Sequence, residues 1–420
     1  MEPFQYRGGR LAVEQVPLDE IAETYGTPVY VYSSAGVVDR YRAYADAFNG
    51  VDTMVCYGVK ANSNTALLRL LAKEGAGADI VSRGELRRAL AAGVSPDRIV
   101  FSGVGKTGEE LAEALDAGIL QFNLESVAEL EVLSAIAAAE RKTAAIAFRV
   151  NPDVDARTHA KITTGKKENK FGVPIAEAMA LYAQAAAMPG IRPVAVAVHI
   201  GSQLTSLAPY ERAFRKVLKL GLALREEGHD IQRLDFGGGL GISYGKERAP
   251  TPAEYARMVK KVIKGQGFGL MIEPGRSIVG NAGVLLTRVI FKKPGHGQAF
   301  AIVDAAMNDL IRPTLYEAEH QIVPVRASNA RKRERVEIVG PICESADFLG
   351  KRRMMSPLAA GDLLAIRSAG AYGAVMASTY NSRPLVPEVL VSGSRHAAVR
   401  PRQSLEQLLA LDSIPPWLEA

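Results

Sequence analysis

Residues 53–64 read TMVCYGVKANSN, and this stretch carries a lysine from an apolar run into a polar turn. The run 53–57 has the composition of a buried strand, and only a glycine and a valine separate it from Lys60. A lysine is a solvated surface charge in most proteins. Held at the mouth of a pocket, its amine could instead form a Schiff base. The rest of the chain decides between these two interpretations.

Short β-rich runs alternate with longer helical patterns from about residue 53 to residue 275. Each run is apolar or alternating and is bounded by turn residues, which is typical of a strand. The eight predicted strands are TMVCYGV (53–59), ADIVS (78–82), RIVFSG (98–103), LQFNL (120–124), AAIAFRV (144–150), PVAVAVHI (193–200), RLDFGGG (233–239) and GLMIEP (269–274). Seven amphipathic stretches lie between them, and Thr107 and Ser126 are predicted N-caps for two of these.

This alternation of strands and helices predicts an α/β fold, specifically a (β/α)8 TIM-type barrel. A doubly wound sheet is the alternative architecture for the same alternation. It usually has fewer strands and a switch point in the strand order, so the count of eight favours the barrel.

The pattern changes after about residue 285. Segments such as GVLLTRVIFKK, QAFAIVD, RVEIVGPIC and PEVLVSG are short, strand-like and joined by Pro/Gly turns, and SLEQLLAL near the end is the next helical pattern. These segments predict a second, mostly β domain, which also takes up the strand-like N-terminal segment with PVYVYS (28–33). We therefore predict a barrel over residues 35–285 and a β-rich domain over 1–34 and 286–420 that completes the active site.

Composition narrows the class of protein. The chain has 420 residues, of which 48% are hydrophobic, and this suffices for two domains with large cores. The start has no secretory h-region, no run of about 18 apolar residues occurs, and Cys56 and Cys343 are the two cysteines, so we expect a cytoplasmic protein without a membrane partner. The net charge of +6 includes a basic run at 326–335 without aromatics, which we interpret as a solvated loop or strand edge rather than a nucleic-acid site.

Unusual residues follow several predicted barrel strands, where the working residues of such barrels lie. The first strand ends at Lys60, the sixth at His199, the seventh in a triple glycine and the eighth at Glu273 and Arg276. Loops after strands 7 and 8 frequently bind phosphate, because glycines let backbone N–H groups approach an anion. A phosphate site beside a lysine suggests pyridoxal 5'-phosphate (PLP), and no metal site is predicted. Glu273 would keep the ring nitrogen protonated and His199 could lie against the ring face.

At this point the motifs YGVKAN, HIGSQ, DFGGGLG and EPGR resemble the fold-type III PLP-dependent decarboxylases. The later stretches 304–320, 340–349 and 370–384 are similar to the diaminopimelate decarboxylases among them. The resemblance covers nearly the whole chain. It implies a homodimer with shared active sites that converts meso-2,6-diaminopimelate to L-lysine and CO2, the final step of bacterial lysine synthesis.

The resemblance also implies roles for individual residues. It makes Lys60 the Schiff-base lysine and Cys343 the proton donor, which the partner subunit supplies in this family. The implied cofactor contacts are Lys60, His199, Ser202, Gly237, Gly238, Gly239, Glu273, Pro274, Gly275, Arg276 and Tyr372. The implied substrate contacts are Arg276, Arg312, Tyr316, Glu344 and Tyr372.

These roles make physical sense. Decarboxylation leaves a carbanion that must be protonated, and a thiol retains its proton at neutral pH. The distal end of the substrate carries an ammonium, which Glu344 could meet, and a carboxylate, which arginine could meet with paired N–H donors.

One motif departs from the family, and several alternatives stay open. Arg83 stands where the family has glycine, which puts the local loop geometry in doubt. The polar segment 158–172 is either a surface loop or a lid over the site. The alternative functions are decarboxylation of ornithine, arginine or a carboxylated polyamine, a racemase, and a non-catalytic PLP-binding homologue.

Overall fold

The computed structural model describes residues 2–155, 170–245, 247–295, 297–328 and 330–418. The chain forms two compact units, one over residues 37–279 and the other over residues 1–36 with 280–420. Most of the predicted lid segment, residues 158–169, lies outside the described residues.

Strands occur in both units. In chain order they are β1 Phe4–Arg7, β2 Arg10–Val13, β3 Val16–Pro17, β4 Val29–Ser33, β5 Thr53–Gly58, β6 Gly77–Ile80, β7 Ile99–Phe101, β8 Gln121–Leu124, β9 Ala144–Asn151, β10 Val173–Pro174, β11 Ile191–Ala197, β12 Arg233–Asp235, β13 Gly269–Ile272, β14 Gly283–Pro294, β15 Ala299–Val303, β16 Ile322–Pro324, β17 Glu334–Val339, β18 Phe348–Met355, β19 Leu363–Ile366, β20 Glu388–Ser392 and β21 Arg395–Arg400.

Helices are concentrated in the unit of residues 37–279. In chain order they are α1 Leu18–Tyr25, α2 Ser34–Ala47, α3 Thr65–Lys73, α4 Arg83–Ala91, α5 Gly108–Asp116, α6 Val127–Glu140, α7 Ala178–Ala187, α8 Ala208–Glu226, α9 Pro252–Ile263, α10 Arg276–Val279, α11 Arg312–Tyr316 and α12 Leu405–Leu409.

Eight parallel strands close into a barrel. The order runs β5, β6, β7, β8, β9, β11, β12, β13, and β13 pairs again with β5. The short strand β10 adds to β9 outside this ring. Closure confirms the predicted TIM-type barrel and excludes the doubly wound alternative, which would leave two open edges.

Local sequence signals begin the barrel helices where they were predicted. Thr107 caps α5 in a reciprocal capping box with Glu110, and Ser126 accepts a hydrogen bond from the backbone of Glu129 at the start of α6. The helix α9 buries one apolar face and starts with Pro252, whose missing N–H is not needed there. These caps fix where each connecting loop meets its helix.

Aromatic packing supports the loop after β12. The rings of Phe214 in α8 and Phe236 stack with centroids 4.0 Å apart, and Tyr210 meets Tyr255 edge to face at 5.3 Å. The hydroxyl of Tyr210 also donates to the carbonyl of Gly238 at 3.2 Å. The floor of the glycine loop is therefore a packed, buried aromatic cluster.

The other unit is built mainly of β-strands. Its larger sheet has the order β18, β17, β15, β14, β4, β20, β21, while β16 and β19 pair with each other and β19 with β14; β1 to β3 form a small antiparallel sheet. The N-terminal strand β4 pairs with β14 and β20, which confirms that this segment joins the β domain.

The predicted strands all exist, but most end earlier than predicted. The sixth was expected to reach residue 200 and ends at Ala197, and the seventh ends at Asp235 before its glycines. Backbone hydrogen bonds between neighbouring chain segments continue past these ends. Val198 donates to the carbonyl of Asp235 in β12 at 2.8 Å, and Glu273 donates to that of Gly237 at 2.7 Å.

Candidate active site

Lys60 lies at the C-terminal end of β5, in the short 3₁₀ segment Val59–Ala61. Its ammonium forms an ion pair with Asp79 of β6, which is fully buried. The side chain of Lys60 remains 35% exposed. The lysine therefore stands at the boundary between the barrel interior and the space above it, and it is not a solvated surface residue.

Glu273 follows β13 and is almost completely buried. Burial, together with the charges of Asp235 and Asp79, raises the pKa of Glu273 well above its usual value. Burial also raises the pKa of Asp235 to about 6, although this carboxyl accepts hydrogen bonds from Gly237 and Asn123. Burial thus favours the protonated form of both carboxyls.

His199 follows β11 and is only partly exposed. Its Nδ1 accepts a hydrogen bond from the backbone N–H of Gly238 at 3.2 Å, which leaves the ring proton of the neutral imidazole on Nε2. Burial lowers the pKa of His199 well below its usual value, and the charges of Arg149 and Lys60 act in the same direction. The imidazole is therefore a neutral, oriented flat group.

Glycine is required in the loop after β12 by close backbone contacts. A Cβ on Gly238 would lie 2.1 Å from the carbonyl oxygen of Glu273, and one on Gly239 would lie 2.0 Å from that of Gly201. Gly239 also has a φ of +100°. The backbone of this loop is consequently tucked between the loops after β11 and β13.

The loop after β13 packs on the strand that carries the lysine. The carbonyl of Pro274 accepts the N–H of Gly58 at 3.2 Å, and a Cβ on Gly275 would lie 3.1 Å from the carbonyl oxygen of Gly58. These contacts place Glu273 and Lys60 on adjacent loops of one rim.

Arg276 starts the short helix α10 and is buried. It donates to the hydroxyl of Ser202 at 3.1 Å and to the hydroxyl of Tyr244. A guanidinium between two hydroxyls, beside the glycine loop, has the chemistry of an anion site.

The barrel-mouth residues enclose a cavity of about 170 Å³. Its lining includes Lys60, His199, Asp235 and Glu273, with Arg149 at one side. Arg149 is held by an ion pair with Glu125 at 2.9 Å and donates to the carbonyl of His199 at 3.3 Å. An amine, an acid and a neutral imidazole therefore face one small space.

The predicted proton donor and its neighbour belong to the β-rich unit. Cys343 is an exposed free thiol between β17 and β18, and its backbone N–H donates to the side chain of Asn381 at 3.0 Å. The carboxylate of Glu344 accepts a hydrogen bond from the hydroxyl of Tyr380. Both residues thus lie in a turn that is hydrogen-bonded to the 3₁₀ segment Tyr380–Ser382, through the backbone of Cys343 and the side chain of Glu344.

Two of the predicted substrate contacts of this unit lie in the helix α11, and Tyr372 lies in the loop after β19. Arg312 and Tyr316 begin and end α11, and Arg312 is buried with its guanidinium 3.4 Å from Nε2 of His320. Nδ1 of His320 donates to the carbonyl of Arg367 at 2.9 Å, so Nε2 is the acceptor for the arginine. Tyr372 is half-buried and has a left-handed backbone with a φ of +54°.

The backbone at position 83 does not require glycine, so arginine is accommodated there. It is the first residue of α4, after the capping Ser82, and its φ is not positive. Its guanidinium pairs with Glu109 at 3.1 Å and Glu113 at 3.8 Å. The doubt about the local geometry is resolved, because the arginine links α4 to α5.

Sequence reasoning missed four polar residues around the cavity and its anion site, namely Asp79, Asn123, Asp235 and Tyr244. The first three are charged or amide residues inside barrel strands that are otherwise apolar, and such residues are rarely buried without a purpose. That signal was present in the sequence. Tyr244 lies in a loop and had no comparable signal.

The chain is similar to known pyridoxal-dependent decarboxylases. The family model of the pyridoxal-dependent decarboxylases, pyridoxal binding domain, matches residues 34–280. The diaminopimelate decarboxylase of Zymomonas mobilis is 50% identical over 424 residues, covering 100% of both chains. The enzyme of the same name from Pseudomonas aeruginosa is 52% identical and covers 99% of this chain and 100% of its own. The chain belongs to the diaminopimelate decarboxylase family.

A solved member of the diaminopimelate decarboxylase family has the same fold. The Helicobacter pylori enzyme, crystallised in complex with L-lysine, superposes with a TM-score of 0.91 at 42% identity. The match covers 94% of this chain and 98% of that one. The two-part architecture is therefore that of the diaminopimelate decarboxylases.

The residues at the barrel mouth fit PLP, the cofactor of the pyridoxal-dependent decarboxylases. They offer an amine, a buried acid, a neutral imidazole and a side-chain-free loop beside an arginine. A side chain at the glycine loop would collide with backbone, so the loop presents its main chain. Among the described residues, no helix is long and apolar enough to span a membrane, and no cluster of three His, Cys, Asp or Glu could hold a metal ion.

Proposed function

We propose that this diaminopimelate decarboxylase homologue converts meso-2,6-diaminopimelate to L-lysine and CO2 with PLP as cofactor. The observation that carries the proposal is the single cavity that Lys60, His199 and Glu273 share, in a chain about half identical to diaminopimelate decarboxylases along its whole length. The proposed reaction is the final step of bacterial lysine synthesis.

In this proposal, the barrel unit holds the cofactor. Lys60 would hold it covalently through its amine, and the backbone of Gly237 to Gly239, with Ser202, Gly275 and Arg276, would hold the phosphate. Pro274 fixes the rim, and Tyr372 contributes from the β-rich unit. When bound, PLP supplies a protonated pyridine ring that takes up the electron pair left when CO2 departs.

Glu273 and His199 orient the ring in this proposal. Glu273 would accept a hydrogen bond from the ring nitrogen and would keep that nitrogen protonated. His199 would lie against the ring face as a neutral imidazole, and its hydrogen bond from Gly238 supports that protonation state. A charged imidazolium there would be repelled electrostatically by the protonated pyridine ring.

Cys343 is the proposed general acid. Its thiol gives a proton to Cα of the substrate after CO2 has left, and its exposed position in the turn leaves Sγ accessible. The backbone hydrogen bond to Asn381 supports a fixed position for this turn.

Recognition of the substrate is assigned to charges of matching sign. We propose that Glu344 binds the distal ammonium, and that Arg276 and Arg312 bind carboxylate with paired N–H donors. Tyr316 and Tyr372 add hydroxyls. Such a site rejects substrates that lack these groups, because its own charges would be left unpaired.

We further propose a cytoplasmic homodimer whose active sites are shared between subunits. Residues 35–285 would act as the PLP-binding domain, and residues 1–34 with 286–420 would complete the site, with Cys343 and Glu344 supplied by the partner subunit. The resemblance of GPICESADFL (340–349) to the family motif supports this assignment.

The test is a spectrum and an assay on the purified full-length chain. We expect visible absorbance after incubation with PLP and release of lysine from meso-diaminopimelate, with far slower turnover of ornithine, arginine and lysine. If ornithine, arginine or lysine were turned over faster than meso-diaminopimelate, that amino acid would be the substrate instead. A coloured protein that decarboxylates none of the four compounds would be a non-catalytic homologue.

A further inference from the structure

Two buried carboxyls line the cavity of the proposed cofactor site. Asp235 ends β12 and is fully buried, and Glu273 follows the neighbouring strand β13 with 8% exposure. The side-chain amide of Asn123 lies within hydrogen-bond distance of both carboxyls, so the two groups share one donor. Two buried carboxyls held this close repel each other when both are ionised, which favours a retained proton on one of them.

The pair is braced on both sides. Asn123 donates to Oδ2 of Asp235 at 2.9 Å and to Oε1 of Glu273 at 3.4 Å, so one amide bridges both groups. The other oxygen of Asp235 accepts the N–H of Gly237 at 3.0 Å. The N–H of Glu273 in turn donates to the carbonyl of Gly237 at 2.7 Å. These contacts fix the distance between the carboxyls, so they cannot separate to relieve repulsion.

The surroundings favour one retained proton. Asp79 adds a third carboxyl from β6 and raises the pKa of both members, while Lys60 acts in the opposite direction on Glu273. Burial is the largest cause for each. The other titratable groups coupled to the pair or lining its cavity are Cys56, Arg149, His199, Arg233 and Tyr255.

We propose that Asp235 is a positioning residue that stores, jointly with Glu273, the proton which the cofactor's ring nitrogen receives on binding. This inference rests on the proposed function of the site. On binding, the O–H bond of the pair breaks and an N–H bond forms. The pair becomes two carboxylates, the ring becomes cationic, and no proton enters from solvent.

After the transfer each carboxylate keeps a partner. Asp235 retains the donors from Gly237 and Asn123, and Glu273 gains the ring N–H. The charges created are thus met by groups already in place. This separates Asp235 from a merely structural residue, because a structural role would not change the proton count of cofactor binding.

The experiment is calorimetric titration of the cofactor-free full-length chain with PLP. It is run in buffers of different ionisation enthalpy, at a pH where the ring nitrogen of free PLP is unprotonated, so that net proton uptake is measured. D235N keeps an acceptor for Gly237 but cannot share a proton as an acid. We expect D235N to take up about one more proton from solvent than the unmodified chain.

Asp116 provides the matched control, since it is a surface carboxylate paired with Lys142. D116N makes the same change of charge and should leave the proton count unaltered. Equal counts for D235N and the unmodified chain would overturn the inference. Absence of any binding heat in the unmodified chain would overturn the proposed function instead.

Infrared spectroscopy tests the same inference without a variant, should D235N fail to fold. The cofactor-free chain should show the carbonyl stretch of a buried protonated carboxyl, and this band should disappear when PLP binds. A spectrum without that band, or a band that persists after binding, would contradict proton storage by the pair.

Discussion

The ammonium of Lys60 is paired with Asp79, a carboxylate that is completely buried in the barrel. The lysine itself keeps 35% of its side chain exposed. This asymmetry means that the lysine neutralises a charge that water cannot reach. The residue proposed to bind the cofactor therefore also stabilises the barrel.

Removing the lysine alone should destabilise the fold. In K60M, the buried carboxylate of Asp79 loses its ion-pair partner. We expect the free energy of unfolding to fall by about 2 kcal/mol. This is less than for a fully buried pair, because Lys60 is partly exposed. K60M/D79N should recover most of this loss, since no buried charge remains. Urea unfolding of both variants measures the difference. Equal stability of single and double variants would show that the ion pair contributes nothing.

Gly238→Ala should weaken cofactor binding. The new Cβ would lie 2.1 Å from the carbonyl oxygen of Glu273, so the loop must shift, and overpacking of this kind costs about 1–3 kcal/mol. We expect the Kd for PLP to rise roughly tenfold or more. Gly105→Ala is the control, because its Cβ would meet nothing within 4 Å. Similar Kd values for both variants would show that the close backbone contact of Gly238 does not matter for PLP binding.

Cys343→Ala should retain the colour of the bound cofactor while turnover slows about 10²-fold or more, as expected for loss of a general acid. Stopped assays of lysine release, together with the visible spectrum, separate these two effects. A colourless C343A protein, or one with normal turnover, would remove Cys343 from the proposed role.

Mixing K60A with C343A tests whether subunits share their sites. In a symmetric dimer, random exchange makes half of the dimers hybrid, and each hybrid restores one of two sites. We expect about a quarter of the unmodified activity once exchange is complete. No recovery after proven exchange would mean that each site is formed by one subunit.

Asp309 should make stability depend on pH. Burial raises its pKa to about 6 from an unfolded value near 3.8, so the folded state binds this proton more tightly. The contribution is fully present below pH 3.8 and is lost as the pH rises through about 6. D309N lacks this contribution. Between pH 4 and 7, the free energy of unfolding of D309N should therefore rise relative to that of the unmodified chain by up to about 3 kcal/mol. Unfolding curves that stay parallel across this range would contradict the assignment.

Much of the barrel could be predicted because each strand is a short apolar run between turn signals. The eight strands and the caps at Thr107 and Ser126 depend on local sequence alone. Strand ends were less predictable, since they depend on contacts between neighbouring strands that are far apart in sequence. Val198 illustrates this, because its N–H still bonds to the carbonyl of Asp235 in β12 although β11 ends at Ala197.

Those residues of the candidate site that come directly after a barrel strand in the sequence could be predicted. Lys60, His199 and Glu273 could be placed because every barrel strand points its C-terminal end to the same rim. The contacts among Asp79, Asn123 and the carboxyl pair could not, because they depend on which strands are neighbours and on the strand register. The tautomer of His199 likewise depends on a backbone group 39 residues away.

Borohydride reduction of the PLP-treated chain, followed by peptide mass mapping, tests the central claim most directly. The account predicts that the pyridoxyl group is fixed on Lys60, that K60A takes up none, and that K142A, which removes a surface lysine paired with Asp116, behaves as the unmodified chain. A chain that stays colourless, or a pyridoxyl group found on another lysine while position 60 is unmodified, would contradict it.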